Sequence, residues 1–199
     1  MKHYDSIAFL GGAEIKPEDQ TYIDAYQTAR KVALLGLTVY NGGGPGVMRA
    51  STEGAKSVGG EVIGVTYHPT VPHPYFEGAD PLNHFDREIK TLDYFERTKQ
   101  LLLLSDIHII FRGGTGTISE FGMTWASSRI RTGEERPIIL FGDFWHMVID
   151  GFRKHMYMRL GEFRLYEIVT TPDEAIAEIE DLVNQKKEHL VEKKSRKVN

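Results

Sequence analysis

Apolar residues along this chain follow two alternating rhythms. Ile7-Ala8-Phe9-Leu10 is an unbroken apolar run closed by Gly11-Gly12, which predicts a buried strand and a turn. From Glu18 to Leu35 the spacing changes: Tyr22, Ile23, Tyr26, Ala29, Val32, Ala33 and Leu35 follow a 3.6-residue repeat that stops at Gly36, which predicts a helix. Leu37 to Tyr40 reads as a second strand, Val47 to Val58 as a helix ended by Gly59-Gly60, and Val62 to Val65 as a third strand. Prolines 69, 72, 74 and 81 forbid continuous helix or central strand between Tyr67 and Phe85, so a long ordered loop or lid is expected there. Beyond it come a helix over Leu92 to Leu104, a strand over Ile107 to Phe111, a helix ending near Ile130, and a strand over Pro137 to Phe141. Phe144 to Leu160 and Pro172 to Lys187 read as closing helices, with a short strand at Tyr166 to Val169.

Strand and helix thus alternate throughout, and parallel neighbours need crossover helices, so the expectation is α/β: a Rossmann-like, doubly wound parallel sheet flanked by helices in a single domain. Ligands of such sheets gather beyond the carboxyl ends of the strands. Two glycine clusters fall there, Gly42-Gly43-Gly44-Pro45-Gly46 after the second strand and Gly113-Gly114-Thr115-Gly116-Thr117 after the fourth. A loop without side chains lets a ligand approach the backbone, and the helix start beneath it offers unpaired N–H groups and partial positive charge to an anion. The expected ligand is a phosphate-bearing small molecule.

Composition narrows the classes. A chain of 199 residues, 41% hydrophobic and 26% charged, has the material for one real core. Residues 1–188 are expected to form the nucleotide-binding domain and residues 189–199 a basic, flexible tail, with Lys186, Lys187, Lys193, Lys194, Arg196 and Lys197 concentrated at that end. The formal net charge of -4 argues against a domain built to grip nucleic acid. Without cysteine there can be no disulfide, thiolate metal site or cysteine nucleophile. No secretory h-region follows Lys2-His3-Tyr4-Asp5, and the longest aliphatic run, Leu101 to Leu104, is far too short to cross a bilayer, so a cytoplasmic protein without membrane contact is expected.

Neither glycine cluster has the dinucleotide spacing G-x-G-x-x-G, and G-x-x-x-x-G-K-[ST] is missing, which disfavours dehydrogenases and P-loop hydrolases. Asn41-Gly42-Gly43-Gly44-Pro45-Gly46-Val47-Met48 instead resembles the GGGxxG(L/V/I)M signature of the LOG family, nucleoside 5′-monophosphate phosphoribohydrolases formerly labelled lysine decarboxylases. Gly113 to Glu120 resembles that family's second signature, PGGxGTxxE, and Arg97 falls where the family carries an arginine in the preceding helix. The similarity runs from about Ile7 to Val183. It implies a homodimeric hydrolase that splits a cytokinin riboside monophosphate or AMP-like nucleotide into free base and ribose 5-phosphate, without metal or cofactor. Under the resemblance Glu120 and Arg97 are the catalytic residues. Gly43, Gly44, Gly113, Gly114, Thr115, Gly116, Thr117 and Arg112 then bind substrate.

Two positions depart from the family wording. Arg112 replaces the proline that opens the second signature, adding a cation, and Met-His-x-Arg-Lys is only partly kept around Glu96-Arg97-Thr98-Lys99. These departures motivate a second reading, a nucleotide or cofactor carrier that binds without turnover. Bland readings stand beside the site residues. Thr117-Ile118-Ser119-Glu120 has capping-box spacing, and Arg97 beside Asp93 and Glu96 fits an exposed ion pair on a helix. His68, His73 and His84 are expected to be surface loop histidines rather than metal ligands, and Phe121 and Trp125 to be core or dimer contact. A pyridoxal-dependent decarboxylase is disfavoured because no pattern designates a Schiff-base lysine.

Overall fold

The computed structural model describes residues 4–71, 78–130 and 136–195, with side chains as far as residue 186. The elements in chain order are β1 (Ser6–Leu10), α1 (Gln20–Leu34), β2 (Thr38–Asn41), α2 (Val47–Lys56), β3 (Val62–Tyr67), β4 (Arg87–Thr91) and α3 (Tyr94–Leu104). They continue as β5 (Ile107–Ile110), α4 (Thr115–Ile130), β6 (Ile138–Phe141), α5 (Phe144–His155), β7 (Tyr166–Val169) and α6 (Pro172–Ser195). All seven strands join one parallel sheet in the order β4-β3-β2-β1-β5-β6-β7. The expected Rossmann-like α/β domain is what the chain forms.

Central strands are buried on both faces, which is why they read as continuous apolar runs. Alternate residues of β1 feed two cores. Ile7 and Phe9 pack with residues of α1, α2 and α6, while Ala8 and Leu10 pack with Leu101, Phe121, Trp125, Trp145 and Ile149 from α3, α4 and α5. Phe121 and Trp125 are therefore core, stacked 4.9 Å apart, with the Trp125 Nε1 donating to the Glu162 carbonyl at 2.8 Å.

Three elements differ from the sequence expectation. α6 runs to Ser195 rather than ending at Lys187, so the backbone of residues 189–195, expected as flexible tail, is helical. β4 was not foreseen: Arg-Glu-Ile-Lys-Thr carries charge on an edge strand whose residues are exposed or half-buried, so it lacks the apolar run that marks its neighbours. α5 stops at His155 rather than Leu160, because Met156 takes an extended conformation, and the chain then makes a separate 3-10 turn over Leu160–Arg164.

Sheet order fixes where a ligand can sit. The chain winds outward from β1 through β2 and β3 to β4, then returns to the other side of β1 as β5. The reversal opens a crevice at the carboxyl ends of β1 and β5, the usual ligand position in open α/β sheets.

Candidate functional site

A cavity of about 720 Å³ occupies this crevice. Its walls come from residues 9–15 after β1, from Gly42 and Met48, from Tyr94, Arg97 and Leu101 on α3, and from the segment 112–120 that enters α4. Backbone hydrogen bonds stitch these walls together. Phe111 N donates to the Leu10 carbonyl at 2.8 Å, Gly12 N to the Arg112 carbonyl at 3.0 Å, and Val47 N to the Gly12 carbonyl at 3.0 Å. Gly46 is required where the strands of backbone meet: its φ is +64°, and a Cβ there would stand 2.2 Å from the Gly12 carbonyl oxygen.

On the α4 side, Ile118 N is bonded to the Gly114 carbonyl, so the amides of Thr115, Gly116 and Thr117 precede the helical ladder and emerge at its positive end. The same residues line the cavity. A Cβ on Gly113 would lie 2.1 Å from Thr117 Oγ1, so only glycine lets this turn fold over the threonine.

The same cavity is lined by a buried pair of opposite charge. Arg97 on α3 and Glu120 on α4 are 5% and 6% exposed, and Arg97 Nη2 lies 3.8 Å from Glu120 Oε1. Both line the cavity. The sequence left Arg97 open as an exposed ion-pair member; its burial removes that reading, while Asp93 instead caps α3 by accepting from Glu96 N at 2.7 Å. The capping-box alternative for Glu120 fails too, because α4 begins at Thr115 and Thr117 is already inside the helix. Tyr94 covers the guanidinium, with its ring centroid 5.1 Å from the Arg97 guanidinium carbon. At the rim, exposed Arg112 stacks on the Phe144 ring at 4.5 Å.

Arg97, Arg112, Gly113, Gly114, Thr115, Gly116, Thr117 and Glu120 thus meet in one cavity, whereas Gly43 and Gly44 do not line it. Those two glycines are held by residues 80–83, in the last part of the proline-rich stretch. Asp80 N donates to the Gly43 carbonyl at 2.9 Å and Asn83 Nδ2 to the Gly44 carbonyl at 2.9 Å, while a Cβ on Gly43 would meet Thr66 Cγ2 at 2.5 Å. Arg49 Nη1 reaches Asp80 at 3.3 Å and fastens that segment to α2. Of the first cluster, Gly42 is the residue exposed to the cavity. Buried Asn41 shapes the turn, accepting from Gly43 N at 2.9 Å through Oδ1 and donating through Nδ2 to Thr52 Oγ1 at 2.8 Å.

Sequence reasoning missed Gly11 to Ile15 as a wall and Tyr94 as a neighbour of Arg97. The signal for the first was available, since Gly11-Gly12 ends a buried strand as both other clusters do. Half-exposed His68 pairs with Glu88 at 2.8 Å, and His73 lies outside the described residues, as do the side chains of the basic C-terminal segment. Among the described residues no three His, Asp or Glu side chains converge to hold a metal ion, and no helix is long and apolar enough to cross a membrane.

The family described as SLOG cluster4 matches residues 5–159, a span containing every wall of the cavity. The chain belongs to this LOG-like family. Among the relatives of this SLOG cluster4 chain is an uncharacterised protein of Archaeoglobus fulgidus, 32% identical over 137 residues, which cover 68% of this chain and 83% of that protein. The cytokinin riboside 5′-monophosphate phosphoribohydrolase of Mycobacterium tuberculosis is 31% identical over 115 residues, covering 58% of this chain and 57% of that enzyme. Solved structures share the fold. The molybdenum cofactor binding protein of Rippkaea orientalis superposes with a TM-score of 0.69 at 24% identity, over 92% of this chain and 99% of that one. The Moco carrier protein of Chlamydomonas reinhardtii gives 0.66 at 21% identity, again over 92% and 99%.

Proposed function

We propose that the chain hydrolyses the N-glycosidic bond of a purine-type nucleoside 5′-monophosphate, releasing free base and ribose 5-phosphate. The observation that carries this reading is the Arg97–Glu120 pair, 3.8 Å apart and buried, in the same cavity as the amides of Thr115 to Thr117. The amides and the Arg112 guanidinium suit a phosphate dianion, because successive N–H groups at a helix start replace its hydration shell. With the phosphate held there, the ribose extends towards Glu120. Breaking the bond from C1′ to the base nitrogen sends its electron pair to the base and leaves an oxocarbenium-like sugar. Glu120 stabilises that cation and accepts a proton from the water that attacks C1′, while the departing base nitrogen takes up a proton from solvent. Arg97, 3.8 Å from the carboxylate, orients it within the buried site.

Incubation with AMP, GMP, CMP and a cytokinin riboside 5′-monophosphate, followed by chromatography of released bases, tests the activity. Glu120→Gln preserves shape and removes the charge, and is expected to lower kcat on the order of a hundredfold or more. Base release at the wild-type rate in this variant would remove Glu120 from the mechanism.

A second reading has support in Arg112, an exposed rim cation stacked on Phe144 that suits retention of an anion as well as its turnover. On that reading the chain carries a phosphate-bearing cofactor unchanged, as the names of the Rippkaea and Chlamydomonas proteins describe for them. Thermal stabilisation by a nucleotide with no base released would select it. Either way, the reading includes pairing of two copies through the outer face of α4, where Ile118, Met123 and Ile130 are exposed.

A further inference from the structure

Tyr94 belongs to neither glycine segment, yet it touches both halves of the cavity. It is the first residue of α3, on backbone fixed by the Asp93 cap. One face of its ring meets the Arg97 guanidinium, with 5.1 Å from centroid to carbon. Its phenol oxygen lies 3.1 Å from Ser119 Oγ on α4. A Cβ on Gly116 would come within 3.4 Å of that oxygen, so the phenol reaches the turn that carries the anion-facing amides.

Arg97 is consequently bounded on three sides. The Tyr94 ring covers one, the Glu120 carboxylate stands 3.8 Å away on a second, and the backbone of Gly42 closes a third, where a Cβ would be 3.4 Å from Nη1. A guanidinium laid on an aromatic face is drawn to the ring quadrupole, more strongly where water is excluded. Stacking also orients the plane in which its N–H groups donate.

We propose that Tyr94 is a positioning residue: its ring, moored through the phenol to Ser119, aims the Arg97 guanidinium at Glu120 and ties the orientation of this pair to the amide turn of α4. The kinetic consequence rests on the hydrolase reading; the placement of Arg97 does not.

The test begins in ligand-free protein, with the Nε–Hε resonance of Arg97 in wild type, Y94F, Y94L and S119A. Wild type is expected to show the shift that an overlying ring imposes, Y94F and S119A, which each lose the Tyr94–Ser119 hydrogen bond, a reduced one, and Y94L a signal averaged towards that of a free arginine. Y94M removes the ring with little loss of volume and gives the same reading if the leucine variant does not fold. An Arg97 resonance unmoved by loss of the ring overturns the role whatever the protein does to AMP. With AMP as substrate, Y94L is expected to lower kcat on the order of tenfold while KM stays within about threefold, with Y94F and S119A falling between Y94L and wild type. A wild-type kcat in Y94L overturns the positioning role and leaves the effect of Glu120→Gln standing. AMP binding without adenine release in the wild type overturns the hydrolase reading instead, and the resonance alone then decides for or against Tyr94.

Discussion

A carboxylate and a guanidinium that are each more than nine-tenths buried have left water, so removing either charge disturbs interactions formed at the expense of hydration. Glu120→Gln, which keeps the shape of the side chain, is a cleaner probe of the proposed chemistry than truncation at Arg97, which also removes buried packing. A different buried titratable group couples stability to pH. His108 on β5 is 1% exposed, and burial, reinforced by the nearby Arg136 cation, lowers its pKa from 6.5 to about 3. Because the folded state resists protonation, His108 has no effect on stability above the unfolded pKa of 6.5 and weakens the fold progressively as pH falls from there towards about 3. Urea unfolding at pH 7, 6 and 5 is expected to show a loss approaching about 1.4 kcal/mol per pH unit from this group below its unfolded pKa. His108→Leu should flatten that slope above pH 5, before most carboxylates titrate, and an unchanged slope would show that the histidine is not its source.

At the scale of elements, the cavity is a contact between backbones. The turn after β1 lies against the turns after β2 and β5 so closely that Gly46 and Gly113 have no room for a side chain. Gly46→Ala must therefore pay twice, for a left-handed φ and for the collision with the Gly12 carbonyl, and is expected to destabilise the protein by at least about 2 kcal/mol in chemical denaturation. Adoption of the substitution without loss of stability would mean that the turn relaxes freely. The strands around this contact were legible because double burial writes them as apolar runs; β4 was not, because an edge strand carrying Arg87, Glu88 and Lys90 lacks that signature. Among site residues, the segment from Gly113 to Glu120 was legible through its motif. Gly11-Gly12 carried the same local mark, a glycine pair closing a buried strand, but its place in the cavity wall follows from β1 lying between β2 and β5, a fact of sheet order. Gly43 and Gly44 show the reverse: the motif was plain, but the contacts with Asp80 and Asn83 that turn them away from the cavity lie some forty residues further along the chain.

For the whole molecule, α4 is the element that looks both ways. Phe121, Thr124 and Trp125 face inward, whereas Ile118, Gly122, Met123, Ala126 and Ile130 remain on an outer face with little charge. A helix apolar on both sides normally has cover on both. Sedimentation of the wild type is expected to give a dimer and Met123→Glu a shift towards monomer; a monomeric wild type at micromolar concentration would remove this surface as an interface.

Gly12 gives its N–H to one wall of the cavity and its carbonyl to the other. A single residue with a bond in each direction acts as a spacer of fixed width, so an insertion here would pry the crevice apart. Residues 16–19 just downstream are exposed. Those residues lie beyond the cavity wall, which ends at Ile15, so the chain can be altered there without changing the width that Gly12 sets.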